Sequence, residues 1–126
     1  MRLNPDCIRD ILLYVEENVD AKKFAVSFTS LVDSLTSYDE NTLHYHVNQI
    51  KKANLVDNVT YGGNMPVHIY DLSPKGHEFL ENIRSDNMWN HTKSVAETVG
   101  SFSLNALTTI ATGVLTQVIN HQLGVS

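Results

Sequence analysis

Apolar residues fall at helical spacing in three short stretches near the start of the chain. Ile8, Ile11, Leu12 and Val15 stand at i, i+3, i+4 and i+7, the one-sided stripe of an amphipathic helix. Asn4 is placed to cap it, with Pro5 at the first helical position and Asp6 in the first turn, and Leu3 is placed to staple onto Ile8. This pattern predicts a helix over residues 5–18. Phe24-Ala25-Val26 follows as a short β-prone run. Ser27 then precedes Phe28, Leu31, Val32 and Leu35, a second stripe that predicts a helix over 28–36. Asp39 offers a third N-cap, and Leu43, Val47, Ile50 and Ala53 predict a third helix over 40–53.

Beyond residue 54 the period changes. Leu55–Tyr61 and Pro66–Leu72 read as two strands, with Gly62-Gly63-Asn64 as the turn between them. Ser73-Pro74 repeats the cap-plus-proline start, and Phe79, Leu80 and Ile83 predict a helix over 74–84. Residues 85–99 carry weaker helical signals, with Met88, Trp89, Val95 and Val99 as their apolar members. Gly100-Ser101 breaks the chain, and Ser103 is placed to cap a last helix running to about residue 121. In that helix Leu104, Leu107, Ala111, Val114 and Val118 form a heptad-like seam, which Ile110, Leu115 and Ile119 widen.

Helix, short strand, helix, turn, helix and hairpin is the order of a winged helix-turn-helix domain, and residues 3–84 resemble one. The predicted fold is therefore mostly α with a small β-hairpin (α+β). A winged domain is expected over 1–84 and a helical extension over 85–126 as the oligomerisation segment. A narrower resemblance rests on three stretches and the tail. These are Asn4–Leu12, Leu43-His44-Tyr45-His46, Leu72–Leu80, and the tail with Trp89 and the Ser103-Leu104 helix start. Together they are similar to a family of short proteins of unknown function from Gram-positive bacteria and their phages. That resemblance implies the fold and a phage or prophage setting, and it carries no activity.

Composition narrows the function classes. The 126 residues carry 9 Lys or Arg against 14 Asp or Glu, a formal charge of −5, which argues against a protein that coats nucleic acid without specificity. Through Arg84 the balance is 8 basic to 12 acidic residues, so the winged domain itself is near −4. One cysteine excludes a disulfide framework and fits a reducing compartment. Charged residues interrupt every apolar run near the start, and no apolar stretch reaches the roughly 18 residues of a spanning helix. The expectation is a cytoplasmic protein without a membrane partner.

The candidate chemistry is recognition, not catalysis. With Leu43, Val47 and Ile50 inward, the third helix turns Asn41, His44, Tyr45, Asn48, Lys51 and Lys52 outward. Asn and His suit base edges, while Lys and Tyr, with Tyr61 from the hairpin, suit phosphates. Against this stand Asp39 and Glu40, which open the helix where phosphate would approach, and a hairpin tip over 61–65 without Lys or Arg. His44 and His46 are two apart and point about 200° apart on a helix, so they do not share a metal ion. No metal or cofactor is expected. Cys7 lies in the first turn of the first helix and reads as a small packing residue. No nucleotide-binding glycine loop, nucleophile elbow or zinc-protease motif is present, and the chain is not read as an enzyme. Residues 98–126 hold no charged side chain. Three fates are open to the last helix: folding back on its own domain, pairing with a second copy, or lying on a membrane. Pairing is favoured, through Leu104, Leu107, Ile110, Ala111, Val114, Leu115 and Val118. The leading reading is a small phage-type regulator binding DNA as a homodimer. The alternative is an adaptor or inhibitor of a host protein.

Overall fold

The computed structural model describes residues 1–122, without the side chains of Val118, His121 and Gln122. Six helices and one three-stranded antiparallel sheet are seen among the described residues, an α+β fold. The chain divides into two compact units, Met1–His77 and the remainder from Glu78. That boundary lies upstream of the division at 84 expected from the sequence.

The first unit starts with α1 (Pro5–Asn18). Asn4 caps it by accepting the Asp6 and Cys7 backbone N–H groups, and Cys7, Ile8, Ile11, Leu12 and Val15 are its buried face. Strand β1 (Ala25–Ser27) begins one residue later than the sequence suggests, and Phe24 is left exposed. Ser27 both ends β1 and caps α2 (Phe28–Ser34) through the Ser30 N–H. α2 stops two residues short of the expected 36. Tyr38, in the connection that follows, donates its hydroxyl to Asp10 Oδ2 at 2.7 Å and so ties the turn to α1. α3 (Glu40–Lys52) then packs on α1, with Leu43, His46, Val47 and Ile50 buried.

α3 ends in a Schellman arrangement. The Leu55 N–H reaches the Ile50 carbonyl at 3.1 Å, and the Asn54 N–H reaches that of Lys51 at 3.0 Å. Asn54 takes the left-handed conformation this requires (φ 59°), a position asparagine tolerates better than most residues. Because Leu55 is still closing α3, the next strand begins later than its apolar run. β2 is Val59–Gly62 and β3 is Met65–Tyr70, and an isolated bridge joins Val56, before β2, to Leu72, after β3.

The sheet order is β1-β3-β2. Val26 pairs with Ile69, and Ile69 with Val59, so three buried β-branched residues form one rung across it. Between Thr60 and Tyr61 the register slips, from Thr60 opposite His68 to Tyr61 opposite Pro66, leaving Val67 as the extra residue of a bulge. Pro66 is tolerated in the middle strand because β1 pairs only as far as His68. Gly63 supplies the positive φ (63°) that the hairpin turn needs.

α4 (Pro74–Ile83) starts against the Schellman turn. The Ser73 N–H donates to the Leu55 carbonyl at 3.0 Å, and the Ser73 hydroxyl donates to that of Asn54. In the second unit, α5 (Asp86–Val99) is capped by Ser85 and packs against α6 (Leu104–Gln122), whose start Ser103 caps. Trp89, Thr92 and Ala96 are the buried residues of α5, and Leu104, Leu107, Ala111 and Val114 those of α6. No described helix is long and apolar enough to cross a membrane.

Candidate functional site

Helical phase decides what α3 offers to its surroundings. Asp39 fixes the start: its carboxylate accepts the Thr42 N–H at 2.7 Å, and that hydrogen bond holds its carboxyl below the usual range. The Schellman turn fixes the end. Between them His44 and His46 go to opposite sides. His46 is 1% exposed; its Nε2 accepts the Asn4 backbone N–H at 2.7 Å, and its Nδ1 donates to the Thr42 carbonyl at 2.8 Å. The Asn4 donor therefore assigns the Nδ1-protonated neutral tautomer, and burial pushes the imidazole pKa down. His44 stays at the surface, edge-on to the Phe28 ring at 6.3 Å.

Three concavities surround the outward face of α3, and His44 lines each of them. The largest, about 710 Å³, lies between α3 and the hairpin and joins His44, Asn48, Lys51, Lys52 and Tyr61 with Asn54 and the hairpin tip. A second, about 320 Å³, brings Asn41, Tyr45 and Asn48 together beside Met1. The third, about 220 Å³, sets Asn41 against Glu40 and Met65. All seven residues expected to read or hold a nucleic acid thus line this one surface, with Tyr45 on the Met1 side and away from the hairpin groove.

The hairpin is tied to α3 through Tyr61. Its hydroxyl donates to Asn48 Oδ1 at 2.7 Å, and the Lys51 ammonium sits 4.6 Å from the centre of its ring. Burial raises the Tyr61 pKa, so the phenol keeps its proton. Sequence reasoning missed Asn54, Asn64 and Met65 as parts of the surface. An asparagine directly after Lys51-Lys52-Ala53 was a usable signal for the first, because Asn is a common left-handed helix terminator. Cys7 is fully buried, and desolvation pushes its thiol up to about 12, which fits packing and not reactivity.

Residues 2–103 match the family described as "Hypothetical protein (DUF2513)". The chain belongs to DUF2513. The DUF2513 match contains the whole α3 and hairpin surface and ends at Ser103, the residue that caps α6. An uncharacterized protein from Haemophilus influenzae is 30% identical over 122 residues, covering 94% of this chain and 99% of its own length. No solved structure matches the chain.

Outside the DUF2513 match, the seam expected to meet a second chain is divided. Leu104, Leu107, Ala111 and Val114 are already buried within this chain, because α6 lays them against α5. Ile110 and Leu115 are half-buried, and the Val118 side chain lies outside those described.

Proposed function

We propose that residues 1–84 form a winged helix-turn-helix domain and that the protein is a small regulator binding duplex DNA through α3. What supports the fold reading is the element order α1-β1-α2-α3-β2-β3 with the sheet order β1-β3-β2. The observation that carries the function is the groove between α3 and the hairpin. It collects an imidazole, three carboxamides, two ammonium groups and a phenol on one face, the mix of base-edge and phosphate groups that DNA readers use. Asn41, His44, Tyr45 and Asn48 are the base-reading residues, and Lys51 and Lys52 hold phosphate, whereas the Tyr61 hydroxyl, expected on phosphate, commits its proton to Asn48 instead. The phage or prophage setting rests on the family resemblance of the sequence alone.

The second reading, an adaptor for a host protein, draws on charge. Glu40 lines the third concavity, and Asp39 beside it stays ionised as the helix cap. Selection from a random duplex pool across a salt series separates the two. A DNA reader retains a preferred sequence, bound about 1,000-fold or more above random duplex, and loses that preference with His44→Ala plus Asn48→Ala. An adaptor shows only weak binding that salt abolishes, and it keeps its biological effect in the double variant.

For assembly we propose a homodimer built on what α5 leaves open. Phe102 and Ile119 are exposed, and Ile110 and Leu115 are half-exposed. Sedimentation checks it: Ile110→Glu with Leu115→Glu should give monomers, and a wild-type monomer at high concentration refutes it.

A further inference from the structure

Only one side chain of the hairpin is hydrogen-bonded to the outward face of α3 among the described contacts, and it meets a residue placed to read a base. An asparagine carboxamide has one accepting oxygen with two lone pairs and one nitrogen with two hydrogens. In the usual bidentate contact with adenine both are needed, the oxygen accepting from N6 and the nitrogen donating to N7. Here the oxygen of Asn48 is engaged by the Tyr61 hydroxyl at 2.7 Å. One of the two lone pairs of that oxygen is thereby spent on the hairpin, while both amide hydrogens remain for a ligand in the concavities that Asn48 lines. Tyr61 is itself held from two directions. The hairpin fixes its backbone through the pairing with Pro66, and the Lys51 ammonium sits over its ring. The hydroxyl hydrogen therefore has a defined target, and the amide a defined orientation.

We infer that Tyr61 is a positioning residue that presents Asn48 as a donor, and that the base facing Asn48 is guanine, whose major-groove edge offers the two acceptors O6 and N7. This rests on the DNA reading above and sharpens it to one base contact. Adenine sets a donor beside its N7, and cytosine offers a donor at N4, so each would have to share the amide oxygen with Tyr61, whereas guanine needs only the two amide hydrogens. Lys51 has a different part: it contacts phosphate and steadies the Tyr61 ring without facing a base.

Base frequencies in duplexes selected by the wild type and by three variants test this. The wild type should show one position of guanine preference that vanishes with Asn48→Ala. Tyr61→Phe keeps the ring and its packing but removes the hydroxyl, freeing the amide to turn over. At that position the preference for guanine over adenine should fall about fivefold or more. Asn48→Asp keeps an acceptor for Tyr61 and reverses what faces the groove, so cytosine should replace guanine there. Lys51→Ala should weaken all sequences and lower the salt slope by about one unit, and it should reduce the guanine preference less than Tyr61→Phe does, because the hydroxyl remains and the hairpin still holds it. An Asn48-dependent position that selects adenine, or a guanine preference untouched in Tyr61→Phe, overturns the inference while leaving the DNA reading intact. A wild type that selects no sequence overturns both.

Discussion

Gly76→Ala and Gly113→Ala are the same substitution in two helices, and they should shift stability in opposite directions. A Cβ at Gly76 would lie 1.9 Å from the Leu55 carbonyl oxygen and 2.9 Å from its carbon, both backbone atoms. Ordinary contact begins at 3.4 Å, so the carbonyl would have to retreat by about 1.5 Å. It is not free to do so. That oxygen accepts the Ser73 N–H, and the Leu55 N–H closes the Schellman turn on Ile50. Overpacking costs about 1–3 kcal/mol, and each hydrogen bond strained or lost adds about 0.5–1.5 kcal/mol. Replacing Gly by Ala in a helix returns at most about 1 kcal/mol. The net expectation is a loss of about 2–4 kcal/mol, with Asn54 displaced from the groove as the turn shifts. At Gly113 nothing lies within 4 Å of the added carbon, so only the propensity gain remains, about 0.5–1 kcal/mol of stabilisation. Urea unfolding followed by circular dichroism measures the first, and the fluorescence of the buried Trp89 follows the unit that contains the second. A Gly76→Ala protein within about 0.5 kcal/mol of wild type would refute the close approach of α4 to the Leu55 turn, since surface-type substitutions fall in that range.

Leu43→Ala or Ile50→Ala should cost about 2–5 kcal/mol in the same assay, because each empties a fully buried site. Exposed Asn41→Ala should cost less than about 0.5 kcal/mol, and equal costs would mean that the outward face of α3 is misassigned. Acid should weaken the fold through His46. Its folded pKa is pushed below the ordinary 6.5 by burial, so the unfolded chain binds the extra proton; the loss begins as pH falls through 6.5 and is complete at the folded pKa. His46→Gln should be less stable at neutral pH and should lack that part of the pH slope, and an unchanged slope would exclude His46 as its source. Cys7 should resist thiol reagents at pH 8 in the native protein and react on unfolding, and rapid native labelling would contradict its burial.

Legibility followed how local each interaction is. The limits of α1 and α3 could be read because Asn4, Asp39 and the apolar stripes act within one or two turns. α5 was blurred because its buried stripe includes Thr92, whose hydroxyl finds the Met88 carbonyl at 2.8 Å and so sits in the core without penalty. Meanwhile Val99, counted among its apolar members, is 65% exposed. The seam of α6 was visible, but periodicity does not say what covers it; α5 covers four of its positions within the chain. The outward face of α3 followed directly from helical phase. The hydrogen bond from Tyr61 to Asn48 did not, because it depends on a bulge at Val67 that an alternating pattern does not reveal, and a one-residue slip changes which face a strand residue takes.

The charges of α3 have a sufficient cause in the helix itself. Asp39 and Glu40 stand at its amino end and Lys51 and Lys52 at its carboxyl end, the arrangement that complements the helix dipole. The acidic start is therefore weak evidence against a nucleic acid partner, and the two lysines are equally weak evidence for one. The middle of the helix is different. Asparagine is a poor helix former, and folding alone would be served as well by alanine at 48 and phenylalanine at 61. A hydroxyl–carboxamide pair adds only about 0.5–1.5 kcal/mol over that apolar alternative, and much of this is offset by desolvation of the half-buried phenol. The fold does not require the pair. What the pair does achieve is a fixed orientation for one amide in the lining of a groove of about 710 Å³, the feature on which the proposed reading of DNA rests.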